Sequence, residues 1–241
     1  MKDYLFKKLI SISFYPLCFI ALIWIVFAVE YFNNFNFGHY GVLPRTFTGL
    51  KGIVFSIFIH GSIEHIASNS LPMLILGMLI FFFYKPIAKP AIIWIWLISG
   101  VWLWIGGRNN QYYPNYHIGA STLIYGFATF LFFSGVFRKH LRLMVVSALV
   151  VFMYGSIMWG IFPVKEEISW EGHLFGAIAG LLVAFSYRKE GPQYKKFDWE
   201  DEKEDREEVV EEELPNSTPQ NVTYNFIYKE EDKNKISSSD E

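Results

Sequence analysis

The sequence has little that could cross-link the chain or bind a cofactor. Cys18 is the one cysteine among 241 residues. It excludes a framework of intramolecular disulfides, so packing inside an apolar run is its expected role. Neither metalloprotease signature, H-E-x-x-H or H-x-x-E-H, occurs in the chain, and no cofactor is expected. No small-residue cleavage site follows the first apolar stretch, which is therefore expected to remain as a membrane span.

Charge is also scarce, and it is unevenly distributed. Only 18% of the residues are charged, whereas 52% are hydrophobic and 19% aromatic, a composition typical of proteins in lipid. Residues 1–189 hold 14 Lys and Arg against 6 Asp and Glu, whereas residues 190–241 hold 7 against 17. The sequence therefore predicts a membrane domain at 1–189. An acidic cytoplasmic tail at 190–241 would bury too little apolar surface to fold.

Apolar runs recur at the length that a hydrocarbon core requires, about 17–25 residues. Backbone groups in lipid must be paired within the segment, so each run is expected to be an α-helix. The predicted fold is an all-α membrane protein, a bundle of six transmembrane helices. A long aromatic loop at 30–59 is predicted to lie at the membrane interface. The spans are placed near residues 9–29, 66–84, 90–106, 119–137, 142–162 and 171–187.

Basic residues predict the orientation of this bundle. They concentrate before the first span, between the second and third, between the fourth and fifth, and after the sixth. The positive-inside rule therefore places both termini in the cytoplasm. The expected location is a bacterial inner or plasma membrane, crossed several times by the chain.

Polar residues occur at the predicted outer ends of spans two, four and six. The orientation places all of them at one depth below the external face. Ionisable residues at membrane depth are costly and mark functional sites by default. They are His60, His65 and Asn69 in "HGSIEHIASN", Gly119, Ser121 and Tyr125 in "GASTLIYG", and His173 in "EGHLFGAIAG".

Helical spacing indicates which of these side chains can meet. Residues four apart share a helix face, so His65 and Asn69 project together, whereas His60 can join them only if it precedes the helix. Gly172, Gly176 and Gly180 form a small-residue stripe that lets two membrane helices approach closely. Gly119 and Gly126 are their expected counterparts on span four.

Three motifs resemble those of the rhomboid intramembrane serine proteases. The chain has H-x4-H-x3-N in "HGSIEHIASN", G-x-S-x3-Y in "GASTLIYG" and H-x2-G-x3-G in "GHLFGAIAG", in the family's order. The resemblance covers residues 1–189 and leaves the acidic tail outside. It implies hydrolysis of peptide bonds in or beside the transmembrane segments of membrane protein substrates. Besides these substrates and the lipid bilayer no partner is implied, and no nucleic acid is expected.

The resemblance also implies roles for the polar residues. Ser121 would be the nucleophile and His173 its general base, a dyad without a carboxylate. His65 and Asn69 would donate hydrogen bonds to the oxyanion, together with the backbone N–H of Ser121. Tyr125 would stack on His173. The other supporting residues would be His60 and Gly119.

The chain departs from the family pattern at two positions. Thr122 follows the serine where many members have glycine, and its branched side chain could narrow the approach of substrate. The long loop lacks the family's common Trp-Arg pair, for which Arg45 is a possible replacement. His117, in the loop before Ser121, is interpreted as a structural residue.

Two other functions are compatible with the sequence. One is a membrane metalloprotein with His60, His65 and His173 as ligands, which metal analysis of the purified protein would test. The other is a catalytically inactive relative that binds client helices, for which Thr122 is the only hint. Labelling by a serine-reactive fluorophosphonate distinguishes an active enzyme from it.

Overall fold

Helices form the regular structure of this chain. The computed structural model describes residues 2–109, 114–139, 143–145, 148, 152, 160–163, 169–191 and 193. In these residues an isolated bridge between Val42 and His117 is the only strand-like pairing. The all-helical fold predicted from the sequence is confirmed for this part of the chain. Its α-helices are α1 (Lys2–Asn33), α2 (Gly52–Phe55), α3 (Ile63–Phe83), α4 (Ala88–Gly106), α5 (Ser121–Phe137) and α6 (Trp170–Ser186).

Three of the described helices are long and apolar enough to cross a membrane. They are the Asp3–Asn33 part of α1, with 31 residues, α3 with 21 and α4 with 19. The helices α5 and α6 are apolar as well, with 17 residues each. Seventeen residues is about the shortest length that spans a hydrocarbon core.

Five of the six predicted spans each coincide with one of these helices. The exception is the span at 142–162, most of which lies outside the described residues. The count of six spans therefore stays a prediction. The same holds for the domain boundary at 189, because almost all of the acidic tail also lies outside the described residues.

The polar motifs lie where helices begin. Ser62 caps α3, because its Oγ accepts a hydrogen bond from the His65 N–H at 3.2 Å. Ser169 caps α6 in the same way, accepting from the Gly172 N–H at 3.3 Å. Gly119 precedes α5 with a φ of +113°, a conformation that L side chains rarely adopt. The polar residues of α3, α5 and α6 therefore lie at or near the N-terminal ends of these helices.

The helices α5 and α6 pack backbone against backbone along the predicted glycine stripe. A Cβ atom on Gly176 would lie 2.1 Å from the Thr122 carbonyl oxygen, and one on Gly180 would lie 2.1 Å from that of Gly126. Thr129 Oγ1 also donates across the interface to a carbonyl of α6, that of Ala177, at 2.8 Å. Such close approach is what small residues allow between membrane helices.

The segment between α1 and α3 begins later than the predicted loop and contains short helices. Since α1 continues to Asn33, the segment begins at residue 34, and it contains α2 and three 3-10 turns. Two indole N–H groups of α4 hold it, because Trp96 donates to Ile53 and Trp104 donates to Thr46. Their acceptors are backbone carbonyls.

Arg45 belongs to this segment and bonds to backbone carbonyls at the end of α4. Its Nη1 donates to the carbonyls of Gly107, at 2.8 Å, and Ile105, at 3.1 Å. Arg45 therefore ties the segment to the end of α4.

Cys18 corrects one expectation from the sequence. Its side chain is exposed on α1 and is not packed inside the bundle. A helix that crosses the membrane can leave apolar side chains on its lipid-facing side without cost.

Candidate active site

Ser121 and His173 form the centre of the site. Ser121 is the first residue of α5 and His173 is the fourth residue of α6. The Ser121 Oγ and His173 Nε2 atoms are 2.9 Å apart, a hydrogen-bond distance. Only 8% of the His173 surface is exposed. A hydroxyl that can pass its proton to a neighbouring imidazole becomes a competent nucleophile.

The other nitrogen of His173 defines the tautomer of the ring. His173 Nδ1 lies 2.8 Å from the carbonyl oxygen of Gly160. Because a carbonyl can only accept, Nδ1 carries the proton and donates it, which leaves the Nε2 lone pair facing Ser121. A backbone carbonyl thus occupies the orienting position that an aspartate has in Ser-His-Asp triads.

Tyr125 stacks on the imidazole from within α5. The Tyr125 and His173 rings are 4.2 Å apart at their centroids and tilted by only 9°. A Cβ atom on Gly160 would lie 2.0 Å from the Tyr125 hydroxyl and 2.8 Å from His173 Nδ1. Only glycine therefore fits beside this stacked pair. The sequence reasoning did not identify Gly160, whose only signal is its place in the small-and-bulky segment "MYGSIMWGIF".

His65 and Asn69 approach the segment just before Ser121. A Cβ atom on Gly119 would lie 2.6 Å from His65 Nε2 and 3.8 Å from Asn69 Nδ2. Gly119 thus faces α3 rather than the glycine stripe of α6, contrary to expectation. Asn69 is only 6% exposed, and its Nδ2 has no hydrogen-bond partner within the described residues.

The backbone adds a further donor at this point. Because Ser121 opens α5, its N–H has no carbonyl four residues back within the helix to accept it. His65, Asn69 and this N–H therefore supply donors around one small region. Such a group of donors suits an oxygen atom that becomes negatively charged.

His60 contacts the same region through Ala120 and His65. It precedes α3, as the helical spacing required, and is only 2% exposed. Its Nε2 accepts a hydrogen bond from the Ala120 N–H at 3.3 Å, and its ring meets the His65 ring edge-on at 4.9 Å. Burial, with a smaller contribution from His65, lowers the pKa of His60 to about 3. His60 therefore stays neutral and keeps its acceptor for the residue next to Ser121.

Thr122 packs against α6. It is 9% exposed, and its Oγ1 would lie 2.9 Å from a Cβ atom on Gly172. The glycine at 172 thus provides the room that the larger residue at 122 needs.

The described residues give no support to a histidine-ligated metal. Among them, no group of three or more His, Cys, Asp and Glu side chains is arranged to hold a metal ion. Both ring nitrogens of His173 are already engaged, one by Ser121 and the other by Gly160.

The fold and the site together define a class of protein: a helical membrane protein in which a half-buried serine and a buried histidine meet where two closely packed helices begin. The comparisons agree with this class. A model of the Rhomboid domain matches residues 48–190. The chain therefore belongs to the rhomboid family and is an integral membrane protein.

Relatives of this chain occur in mycobacteria. Uncharacterized proteins of Mycobacterium tuberculosis and Mycobacterium bovis are each 35% identical to it over 174 residues, which is 70% of this chain and 72% of theirs. An uncharacterized protein of Mycobacterium leprae is 33% identical over 174 residues, covering 70% of this chain and 68% of its own.

Proposed function

We propose that this protein is an intramembrane serine endopeptidase that cuts peptide bonds in or next to the transmembrane segments of other membrane proteins. The observation that carries the proposal is the 2.9 Å contact between Ser121 Oγ and His173 Nε2, with the ring oriented by Gly160. Membership of the rhomboid family supports it, because rhomboid proteins are generally intramembrane serine proteases.

The proposed reaction begins at the hydroxyl of Ser121. Its Oγ attacks the carbonyl carbon of the scissile bond while its proton passes to His173 Nε2. His173 then gives this proton to the leaving amine nitrogen as the C–N bond breaks, leaving an acyl-enzyme. A water molecule then attacks the carbonyl carbon of the acyl-enzyme while one of its protons passes to His173 Nε2. The bond between this carbon and Ser121 Oγ breaks, and His173 returns the proton to Oγ.

The tetrahedral intermediates carry a negative oxygen that must be stabilised. We assign this role to His65, Asn69 and the backbone N–H of Ser121. Donors arranged in advance around a developing charge typically contribute about 100- to 1,000-fold each to the rate. The Nδ2 of Asn69, which has no partner within the described part of the chain, supports this assignment, since a buried donor without a partner is costly unless a ligand uses it.

The proposed partners are membrane proteins that present a transmembrane segment to the site from the lipid. Both termini are proposed to lie in the cytoplasm, with Ser121 towards the external face. The distribution of basic residues supports this orientation. Nucleic acid is not among the proposed partners.

The alternative of an inactive relative depended on Thr122. A threonine that narrowed the approach to Ser121 would favour loss of activity. Its burial against Gly172 favours the protease instead, because the side chain occupies the interface between α5 and α6.

The proposed function is tested by removing the hydroxyl oxygen of Ser121. Ser121→Ala should abolish labelling by a fluorophosphonate and reduce cleavage of single-span model substrates in proteoliposomes to background, because the nucleophile is gone. His173→Ala should abolish labelling with Ser121 still present. The thermal unfolding midpoint of Ser121→Ala should stay close to that of the wild type.

Ser186→Ala provides the matched control. Ser186 is an exposed serine at the far end of α6, and its hydroxyl donates to the carbonyl of Leu182. This variant should label and cleave like the wild type. Wild-type labelling or turnover by Ser121→Ala would refute the proposed function.

A further inference from the structure

A second polar contact joins the segment of Ser121 to the helix of His173. His117 lies four residues before Ser121, and Ser169 lies four residues before His173. The His117 Nδ1 and Ser169 Oγ atoms are 2.6 Å apart. His117 is buried, at 4% exposure. We call this contact the 117–169 bridge. It joins the same two parts of the chain as the contact between Ser121 and His173, four residues earlier in each.

The donor and acceptor roles in the bridge follow from the backbone groups at its two ends, the Arg108 carbonyl and the Gly172 N–H. His117 Nε2 lies 2.9 Å from the carbonyl oxygen of Arg108, which can only accept, so Nε2 carries the proton. His117 Nδ1 is then an acceptor, and the Ser169 hydroxyl donates to it. The Ser169 oxygen in turn accepts from the Gly172 N–H that it caps. The chain of donors is continuous and requires a neutral His117.

The surroundings of His117 favour that neutral form. The ring lies in a loop outside the membrane-spanning helices, and burial is the main cause that lowers its pKa. The Arg108 charge acts in the same direction, whereas Glu171 and the hydrogen bond to the Arg108 carbonyl oppose it. His117 is thus an uncharged link at neutral pH.

Both ends of the bridge are held by other contacts. The backbone N–H and carbonyl of His117 each pair with Val42 at 2.9 Å, which ties it to the segment after α1. On the α6 side, Glu171 is only 2% exposed and forms an ion pair with Arg108. Because both of its ends are fixed, the 117–169 bridge can set the distance between the segment before α5 and the start of α6.

The chemistry creates a need for such a bridge. In the proposed reaction the hydrogen bond between Ser121 and His173 is lost each time the proton is transferred and the serine oxygen bonds to substrate. That bond therefore cannot by itself keep α6 in place through the cycle. A misplacement of about 1 Å can cost about 100-fold in rate.

We propose that His117 and Ser169 are positioning residues, whose hydrogen bond holds the start of α6 at the distance at which His173 can take the proton of Ser121. This inference rests on the proposed function. It assigns a role to His117, which the sequence reasoning had treated as purely structural.

The first test changes Ser169. Ser169→Gly removes the hydroxyl but keeps a residue that is tolerated at helix N-caps, whereas Ser169→Thr keeps a hydroxyl. For labelling by a fluorophosphonate, the maximal rate kinact of Ser169→Gly should fall about 10- to 100-fold. The half-saturating probe concentration KI should stay within about twofold. Ser169→Thr should keep most of the wild-type kinact.

The second test separates the two nitrogens of His117. The side-chain oxygen in His117→Asn can replace Nδ1 as acceptor for Ser169, whereas the amide of His117→Gln can replace the Nε2 donor to Arg108. If the bridge positions α6, kinact should be higher in His117→Asn than in His117→Gln. Thermal unfolding midpoints of all four variants show whether the effects come from a loss of fold.

The outcomes distinguish this inference from the proposed function. A labelled wild type, an unlabelled Ser121→Ala and a wild-type kinact for Ser169→Gly would overturn the positioning role alone. The positioning role would also be overturned if, in all four variants, the loss of kinact matched the loss of thermal stability and did not depend on which hydrogen-bonding group the variant keeps. A wild-type protein that neither labels nor cleaves would overturn the proposed function and the positioning role with it.

Discussion

Contacts with single atoms orient the imidazole of His173, the proposed base. The ring is held by Ser121 and Gly160 at its two nitrogens and by Tyr125 on its face. Gly160 contributes twice, through its carbonyl oxygen and through the absence of a side chain. Such a residue is invisible to a search for catalytic side chains, since its contribution is backbone and space.

A residue-scale prediction follows for Gly160. In Gly160→Ala the added methyl group would lie 2.0 Å from the Tyr125 hydroxyl, so either Tyr125 or His173 must move. We expect the rate of fluorophosphonate labelling to fall about 100-fold, the effect of a misplacement of about 1 Å.

Tyr125→Phe supplies the comparison for that variant, because it removes the atom that the new methyl group strikes first. The double variant should therefore label faster than Gly160→Ala alone. A double variant that labels no faster than Gly160→Ala would contradict this explanation. Circular dichroism would show that the three proteins keep the same helix content.

At the scale of helices, the candidate active site depends on how closely α5 and α6 pack. Their backbones touch at Gly176 and Gly180, and Thr122 fills the space left by Gly172. The threonine and the glycine thus act as a pair of large and small residues. Two helices at this distance can bring a short serine side chain and an imidazole within 2.9 Å.

Gly176→Ala tests this packing. The new Cβ atom would lie 2.1 Å from the Thr122 carbonyl oxygen, a backbone atom that cannot move without its helix. Overpacking of this kind typically costs about 1–3 kcal/mol. The thermal unfolding midpoint in detergent should fall by several degrees, and labelling of Ser121 should slow as α6 is displaced.

Gly61→Ala is the matched substitution for that experiment. There the nearest atom to an added Cβ, Ile118 Cδ1, is 3.7 Å away, an ordinary contact distance. Its midpoint should stay close to that of the wild type. Equal midpoints for the two alanine variants would argue against backbone contact between α5 and α6.

At the scale of the whole molecule, the charge pattern and the apolar helices act together. The helices place the chain in lipid, and the proposed orientation rests on the basic residues, which select the direction of membrane proteins in general. The proposed orientation puts the segment between α1 and α3 outside and the connection after α5 inside. Residues in these two places should therefore differ in access from the external solution.

Cysteine labelling in right-side-out membrane vesicles tests the orientation. In a Cys18→Ala background, Thr48→Cys and Lys139→Cys each place one thiol at an exposed position. An impermeant maleimide should label Thr48→Cys in sealed vesicles and Lys139→Cys only after permeabilisation. The reverse pattern would invert the proposed topology and put Ser121 on the cytoplasmic side.

The sequence predicted much of the site because membrane helices follow simple rules. Apolar length located α1, α3, α4, α5 and α6, and the spacing of His65 and Asn69 indicated that they share a helix face. Charge in lipid is so costly that a buried histidine signals function even without a structure.

Other features could not be read from spacing. Gly119 was expected to be a counterpart of the glycine stripe, yet it lies before α5 begins and faces His65. Cys18 was expected to have a packing role, and its side chain is exposed on α1. A one-dimensional pattern reports the face of a helix but not the neighbour that covers it.

By itself, then, the sequence determined the family, the helical membrane fold and the residue types available for chemistry, because hydrophobicity, charge and motif spacing are local properties. Only the tertiary structure decided which groups meet: the Gly160 carbonyl with His173, the hydroxyl of Ser169 with His117, and Thr122 with Gly172. These contacts join residues 13 to 52 positions apart, and they depend on how helices dock, which no local pattern records.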